Sequence, residues 1–290
     1  MVVLICMPLI DEMVLFCHND LQNGCCENCK SIKLCGGDCK ECLDDLHYHI
    51  NHIKKDYDCE HLLDFYVCRY SYKYCSEIMY ALETVDISDY PYFHILSLGC
   101  GGAADLMAFD CMEFHQEISY IGFDRNPHWE KVHNEIEKRF SSGKVQFFRN
   151  IDVLKFFEEN NVPECNILSI EYLISSFYKT VGESGVSQWF EQLVSRIIKQ
   201  KPVGSPLLVI INDVDSINTG RDTFPLFKRI IEESGLKVSE RRMRFKDASY
   251  YQNSTRHCSR QNKFELPQFV KDNYYPAINC ESAQLILEVT

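Results

Sequence analysis

The chain has 290 residues, 46% of them hydrophobic, and a formal net charge of −12. That length admits one large domain or two, with enough apolar content for a true core. No stretch reaches the roughly 18 consecutive apolar residues of a membrane-spanning helix, and the acidic balance argues against wrapping a phosphate backbone.

The opening, MVVLICMPLIDEMVLFC, is apolar but has no basic leading region and carries Asp11 and Glu12. It reads as a buried strand or a tail, not a secretory signal. With no export signal, and with several of the 16 cysteines inside apolar segments, the composition points to a reducing, cytoplasmic setting and a metal cluster in preference to a disulfide framework.

Residues 25–42 read CCENCKSIKLCGGDCKEC. Zinc takes four thiolates or imidazoles in a tetrahedron, and each CxxC turn delivers two thiolates from one tight loop. Cys26, Cys29, Cys39 and Cys42 are therefore the expected ligands of a structural zinc. Cys25 in place of Cys26, Cys35 in place of Cys39, and completion by His47 or His49 are alternatives, and His52 and Cys59 leave room for a second ion. Four thiolates would close the coordination sphere, so the site is read as a folding device or a docking point for a protein partner.

Cys59 to Glu83 shows helical spacing, with Tyr66, Tyr70 and Tyr74 forming an i, i+4, i+8 stripe that is read as a packing face. Asp86 to Pro91 breaks the helix. It is the expected boundary between a Cys-rich, helical front domain (1–90) and a second domain (91–290).

The stretch that organises the second domain is PYFHILSLGCGGAADLMAF, residues 91–109. An apolar strand (93–98) breaks into Gly99-Cys100-Gly101-Gly102, and a helical pattern follows near 104–112. Glycines there let backbone approach a ligand, and the helix start offers free N–H groups. The next strand (119–123) ends at Asp124, about 25 positions after Gly99 and near the roughly 20-residue offset of an acid that grips a ribose diol. Asn126-Pro127 then supplies a cap and a first-turn proline for a helix over 128–140.

The alternation continues. A strand over 144–148 leads to a short helix near 153–159, and a strand over 166–170 leads through a Gly/Ser loop to a helix near 186–199. A strand over 206–211 leads to a helix near 225–233, closed by Ser234-Gly235. Finally, 236–245 and 283–289 read as two strands with no helix between them. The long connection from 246 to 281 is expected to be a functional cover or to hold short elements of its own. Five βα units ending in a strand pair predict a mostly parallel α/β sheet with one antiparallel edge strand.

From about residue 93 onward the chain resembles the class I S-adenosylmethionine-dependent methyltransferase superfamily. The resemblance rests on the strand–glycine turn ILSLGCGG, the acid Asp124, Asp152 in NIDV, Glu171-Tyr172 in ILSIEYL, and the terminal strand pair. It implies a seven-stranded Rossmann-like sheet. Ser97, Gly99, Cys100, Gly101 and Gly102 would hold the methionine part of the cofactor, Asp124 with neighbouring Arg125 the ribose, and Asp152 the adenine side. Glu171 would border cofactor and acceptor. On the acceptor side, Glu171 and Tyr172 come first as catalytic candidates, then Asn212 and Asp213, then Asp215; Arg221-Asp222 caps a helix or reaches the pocket.

Three departures stand out. Ser97 occupies the place of a frequent cofactor-contacting acid, Ala103 replaces the third glycine, and no Asn/Asp-Pro-Pro-Tyr or Pro-Cys pair follows the fourth strand. The last departure disfavours methylation of base amino groups and pyrimidine rings.

The expected activity is methyl transfer to a protein or small molecule, with RNA kept open by Arg241, Arg242, Arg244, Arg256, Arg260 and Lys263. Two alternatives stand beside it: a non-catalytic nucleotide-sensing module, and NAD(P)-dependent oxidoreduction, since Gly99-x-Gly101-x-x-Ala104 also fits a dinucleotide fingerprint.

Overall fold

The computed structural model describes residues 7–23, 38–48, 56–112, 114–201, 206–215, 220–245, 256–257 and 261–290. Three helices lead: α1 (Leu9–Leu21), α2 (Cys39–Tyr48) and α3 (Glu60–Leu82). Strands and helices then alternate as β1 (Phe93–Leu98), α4 (Ala104–Cys111), β2 (Ile118–Asp124), α5 (Glu130–Arg139), β3 (Gly143–Arg149), α6 (Val153–Glu159), β4 (Ile167–Glu171), α7 (Ile174–Arg196), β5 (Leu207–Val214) and α8 (Phe224–Glu233). The chain closes with β6 (Val238–Arg244), the two-residue β7 (Arg256–His257), α9 (Gln268–Tyr274) and β8 (Ser282–Val289).

All strands join one sheet in the order β3-β2-β1-β4-β5-β8-β6-β7. Seven strands make its body. The first five are parallel, and β8 runs antiparallel between β5 and β6. This is a Rossmann-like α/β architecture. The expected strand pair is present as β6 and β8, and the long connection between them holds β7 and α9.

Period-two alternation sorts the strands onto two cores. Ile95, Ile167, Leu208, Ile210 and Ile286 face α1, α3 and α4, whereas Leu96, Leu98, Leu168, Ile170, Val209 and Leu287 face α6, α7 and α8. Strands β1, β4 and β5 are apolar on both faces because both are covered.

The helices before residue 90 thus belong to the same core as one face of the sheet. Three turns of sequence come out differently from expectation. The apolar opening is helical at α1, not a strand: Leu9, Ile10, Met13, Val14 and Cys17 recur at helical spacing, all are buried, and Pro8 stands at the N-cap. Helix α7 begins at Ile174, well before Val186, and is interrupted at Gly182, whose φ of 68° and ψ of −173° are not helical. Helix α3, read as one packing face, is buried nearly all round, including Asp64, Lys73 and Glu77. Among the described residues no helix is long and apolar enough to cross a membrane.

Candidate functional site

The glycine turn forms at the carboxyl end of β1. The N–H groups of Gly99 and Cys100 both donate to the Phe123 carbonyl, at 2.8 and 3.1 Å, and tie the turn to β2. Gly99 and Gly101 have φ of 68° and 49°, the left-handed region that favours glycine. Ala103, in the third-glycine position, takes φ 57° as well. The substitution therefore keeps the backbone geometry of a glycine at the cost of some local strain. A Cβ on Gly99 would also lie 3.1 Å from Leu173 Cδ1.

Asp124 closes β2. Its Oδ2 accepts from Gly101 N at 2.9 Å and its Oδ1 from Asn126 N at 2.8 Å. An ionised carboxylate offers about four lone-pair sites, so beside the backbone donors Gly101, Arg125 and Asn126 the group keeps capacity for a further hydroxyl donor. Burial raises its pKa to about 6 against the lowering pull of the loop amides. Arg125 beside it is exposed. Asp152 is exposed too and caps α6, its side chain accepting from Leu154 N and Lys155 N.

Trp129 covers the glycine turn, with ring atoms 3.6 Å from a Cβ position at Gly101 and 3.7 Å from one at Gly102. His133, one turn on, donates from Nε2 to Gly101 O at 2.7 Å and stacks on Phe147. Burial lowers its pKa to about 4, so the imidazole is neutral and its Nε2–H is the donor.

The second half of the site is built on register. Glu171 of β4 pairs with Asn212 of β5, and Asn212 with Gln284 of β8. Residues paired across strands share a face, here the face toward α3. Glu171 Oε2, Asn212 Oδ1 and Gln284 Oε1 are each buried without a hydrogen-bond partner among the described residues, as is Asp105 Oδ2 at the start of α4. Burial is the main cause raising the pKa of both Glu171 and Asp105; their mutual repulsion adds to it for Glu171, while neighbouring donors, Ser97 first, oppose it at Asp105. Ser97 is itself buried beside Asp105, where Tyr120 Oη also donates to Oδ1 at 2.9 Å.

Tyr172, at φ 52°, donates its hydroxyl to Glu77 Oε2 at 2.8 Å. Glu77 also accepts from Asn212 Nδ2 at 2.9 Å and from the N–H groups of Glu281 and Ser282 at 2.9 and 3.2 Å. One carboxylate on α3 therefore clamps the carboxyl ends of β4 and β5 and the amino end of β8. Asp213 points to the other face, where it accepts from Ser175 N at 3.1 Å at the start of α7 and from Val214 N. Arg221 pairs with Asp215 at 2.7 Å and Asp222 at 2.9 Å, an ion-pair clamp below that edge.

Of the acceptor-side candidates, the fold thus brings Glu171, Tyr172 and Asn212 together and turns Asp213 away. Sequence reasoning missed Lys73, Glu77, Asp105 and Trp129. A signal for two of them existed: Lys73 and Glu77 fall at i+7 and i+11 from Tyr66, on the aromatic side of α3, where charge is unexpected. The tyrosine stripe itself packs, as expected, with Tyr70 stacked on Tyr74 at 5.4 Å. It also joins Trp129 (5.9 Å from Tyr66) to Tyr172 (4.3 Å from Tyr74), lining the edge from one half of the site to the other.

Cys26, Cys29, Cys25, Cys35 and His49 lie outside the described residues. Cys39 and Cys42 sit in the first turn of α2, half-buried. His47 is engaged at both ring nitrogens, by Tyr70 Oη at 3.1 Å and Tyr57 Oη at 2.8 Å. A separate cluster with metal-ligand character, Asp20, His61 and Asp64, surrounds the ammonium of Lys131, which pairs with both acids. Of the basic C-terminal residues, Arg241 pairs with Glu288, Arg242 with Glu240, and Lys263 with Glu83. Arg260 and the side chains of Arg244 and Arg256 are outside what is described.

No family model matches the chain, and no curated protein sequence does. Among solved structures the chain is similar to precorrin-6y C5,15-methyltransferase from Geobacter metallireducens GS-15 (TM-score 0.40, 13% identity, covering 74% of this chain and 87% of that one). It is similar also to a SAM-dependent methyltransferase from Aquifex aeolicus (TM-score 0.42, 11% identity, 77% and 95%). A third is magnesium protoporphyrin IX methyltransferase from Synechocystis PCC 6803 (TM-score 0.43, 8% identity, 87% and 97%). Likenesses at this level leave the reading of the site to its own residues.

Proposed function

We propose that the chain is an S-adenosylmethionine-dependent methyltransferase whose donor and acceptor meet at the carboxyl edge of the sheet, under α3. The observation that carries this reading is the row Glu171–Asn212–Gln284, three buried oxygens without hydrogen-bond partners among the described residues, beside a glycine turn of left-handed backbone. Native proteins leave few buried polar atoms unpaired, and a cluster of them marks a place where a ligand or water belongs. The residues fit the donor: Gly99 and Gly101 hold a left-handed turn at the carboxyl end of β1, and Asp124 retains lone-pair capacity for a ribose hydroxyl.

When bound, the donor supplies an electrophilic methyl group on a sulfonium. The protein's share is alignment and exclusion of water. Trp129 and the tyrosines of α3 shield the edge. Asn212 Oδ1 is placed to accept a hydrogen bond from the methyl acceptor, with its amide fixed by Glu77. Tyr172 holds the wall between the two ligands. The acceptor is read as a protein or small molecule, since the basic residues described at the C-terminal end are neutralised in ion pairs.

A structural zinc on Cys26, Cys29, Cys39 and Cys42 belongs to the same proposal and rests on the ligand spacing. The methyltransferase reading is tested by incubating the protein with methyl-labelled S-adenosylmethionine and fractionated extract of its source. Label entering a macromolecular or small-molecule fraction, and lost with Asp124→Ala, is expected. Binding of the donor with no label transferred to any fraction would favour a sensor.

A further inference from the structure

Asp20, His61 and Asp64 meet around Lys131 in an arrangement that two helices build together. His61 and Asp64 are three residues apart on α3 and so share a face, while Asp20 comes from the last turn of α1. One donor atom from each of the three lies within 4.8 Å of the other two. His61 Nε2 stands 3.2 Å from Asp20 Oδ2. Adjacent ligands of an octahedral ion, with bonds of about 2.1 Å, are separated by roughly 3 Å.

The cluster calls for more positive charge than it holds. Asp20 stands at the negative end of the α1 dipole, where an acid is disfavoured. Asp64 is wholly buried, and a carboxylate in that position needs pairing. The Lys131 ammonium reaches both acids and is 2.6 Å from Asp64 Oδ2, so one cation serves two carboxyl groups. Asp64 Oδ1 is left buried with no hydrogen-bond partner among the described residues beyond the weak thiol donor of Cys17. Native proteins leave few such atoms. Lys131 is also a displaceable occupant. Its side chain is 26% exposed on a flexible four-carbon stem, and that of Asp20 is 30% exposed, so solvent reaches the cluster from that side.

We propose that Asp20, His61 and Asp64 bind a divalent cation of the manganese class, which takes the place of the Lys131 ammonium and fixes α1 to α3. One imidazole nitrogen and two carboxylate oxygens suit such an ion, and waters entering past Asp20 complete its coordination. The added charge also answers the unpartnered oxygen of Asp64. The site is distinct from the cysteine-rich segment, whose thiolates favour zinc, and it does not rest on the methyltransferase reading.

Mn2+ is the probe, because carboxylates accept it and thiolates favour softer ions. The full chain, passed over a weak chelator to clear loosely held metal, is titrated by calorimetry and by paramagnetic resonance. About one ion should bind per chain, and its resonance should carry coupling to an imidazole nitrogen that is lost in His61→Phe. Asp20→Asn and His61→Phe should each weaken binding by about tenfold or more. Lys131→Met removes the competing ammonium. It should bind Mn2+ about tenfold more tightly than wild type, and the ion should raise its melting temperature by more.

A folded wild type that binds no Mn2+ would overturn the site, and so would binding that appears in Lys131→Met alone. Affinity unchanged in both Asp20→Asn and His61→Phe, with no nitrogen coupling, would put the ion elsewhere and overturn it as well. A Lys131→Met chain that is destabilised and not restored by Mn2+ would reduce the cluster to an ion-pair network.

Discussion

At Asp124 the two carboxylate oxygens are divided between the glycine turn and the loop after β2, so the residue shapes the crevice it is proposed to serve. Asp124→Ala should leave nucleoside binding undetectable. In the wild type, affinity should weaken as pH falls through about 6, the raised pKa of this carboxyl, because the protonated form is the poorer acceptor. Calorimetry from pH 8 to pH 5 checks both.

His133 gives a prediction of stability. Its folded pKa is about 4, below the roughly 6.5 of an unfolded histidine. The unfolded chain therefore binds the extra proton between those values, and stability falls as pH falls through that window. Replacing His133 with Asn should reduce the pH slope of the unfolding free energy, obtained from urea titrations between pH 6.5 and 4, by up to about 1.4 kcal/mol per pH unit. A variant with unchanged slope would assign the acid sensitivity to other groups.

Among elements, α3 is the one on which the site depends. Glu77 ties it to three strand ends, and Val67 lies 3.2 Å from a Cβ position at Gly102. Replacing Glu77 with Ala removes four hydrogen bonds and the carboxylate that lies 4.0 Å from the Lys73 ammonium. It should destabilise the protein by roughly 3–5 kcal/mol, the range for breaking a buried charged pair, as read from urea unfolding.

The strands were legible from sequence because their apolar runs and bounding turns are local, and the glycine turn because φ above zero writes itself as glycine. Ala103 shows the limit of that rule, holding a left-handed backbone under an alanine. Asp213 was a candidate only because a strand end reads alike on both faces; alternation from Asn212 sends it toward α7. Lys73 and Glu77 were hidden because their partners lie about 100 to 200 positions away, a distance no window of sequence spans.

As a whole molecule, the chain joins its front helices to the sheet through a shared core and through the Lys131 cluster that links α1, α3 and α5. Asp64 sits there with its pKa raised to about 7 by burial, against the pull of Lys131. The front helices therefore pack against the sheet as part of the same core. Metal analysis of the purified chain should return about one zinc, lost together with thermal stability in the Cys39→Ser, Cys42→Ser double variant. A metal-free, fully folded chain would remove the zinc from the account.

The central claim is that the carboxyl edge between the glycine turn and α3 holds an adenosyl ligand. Isothermal titration of the full chain with S-adenosylhomocysteine tests it most directly. The account predicts a one-to-one isotherm that disappears in Asp124→Ala while the variant keeps its fold. A folded wild type that gives no binding heat and no thermal shift, or that binds NADPH in its place, would contradict it.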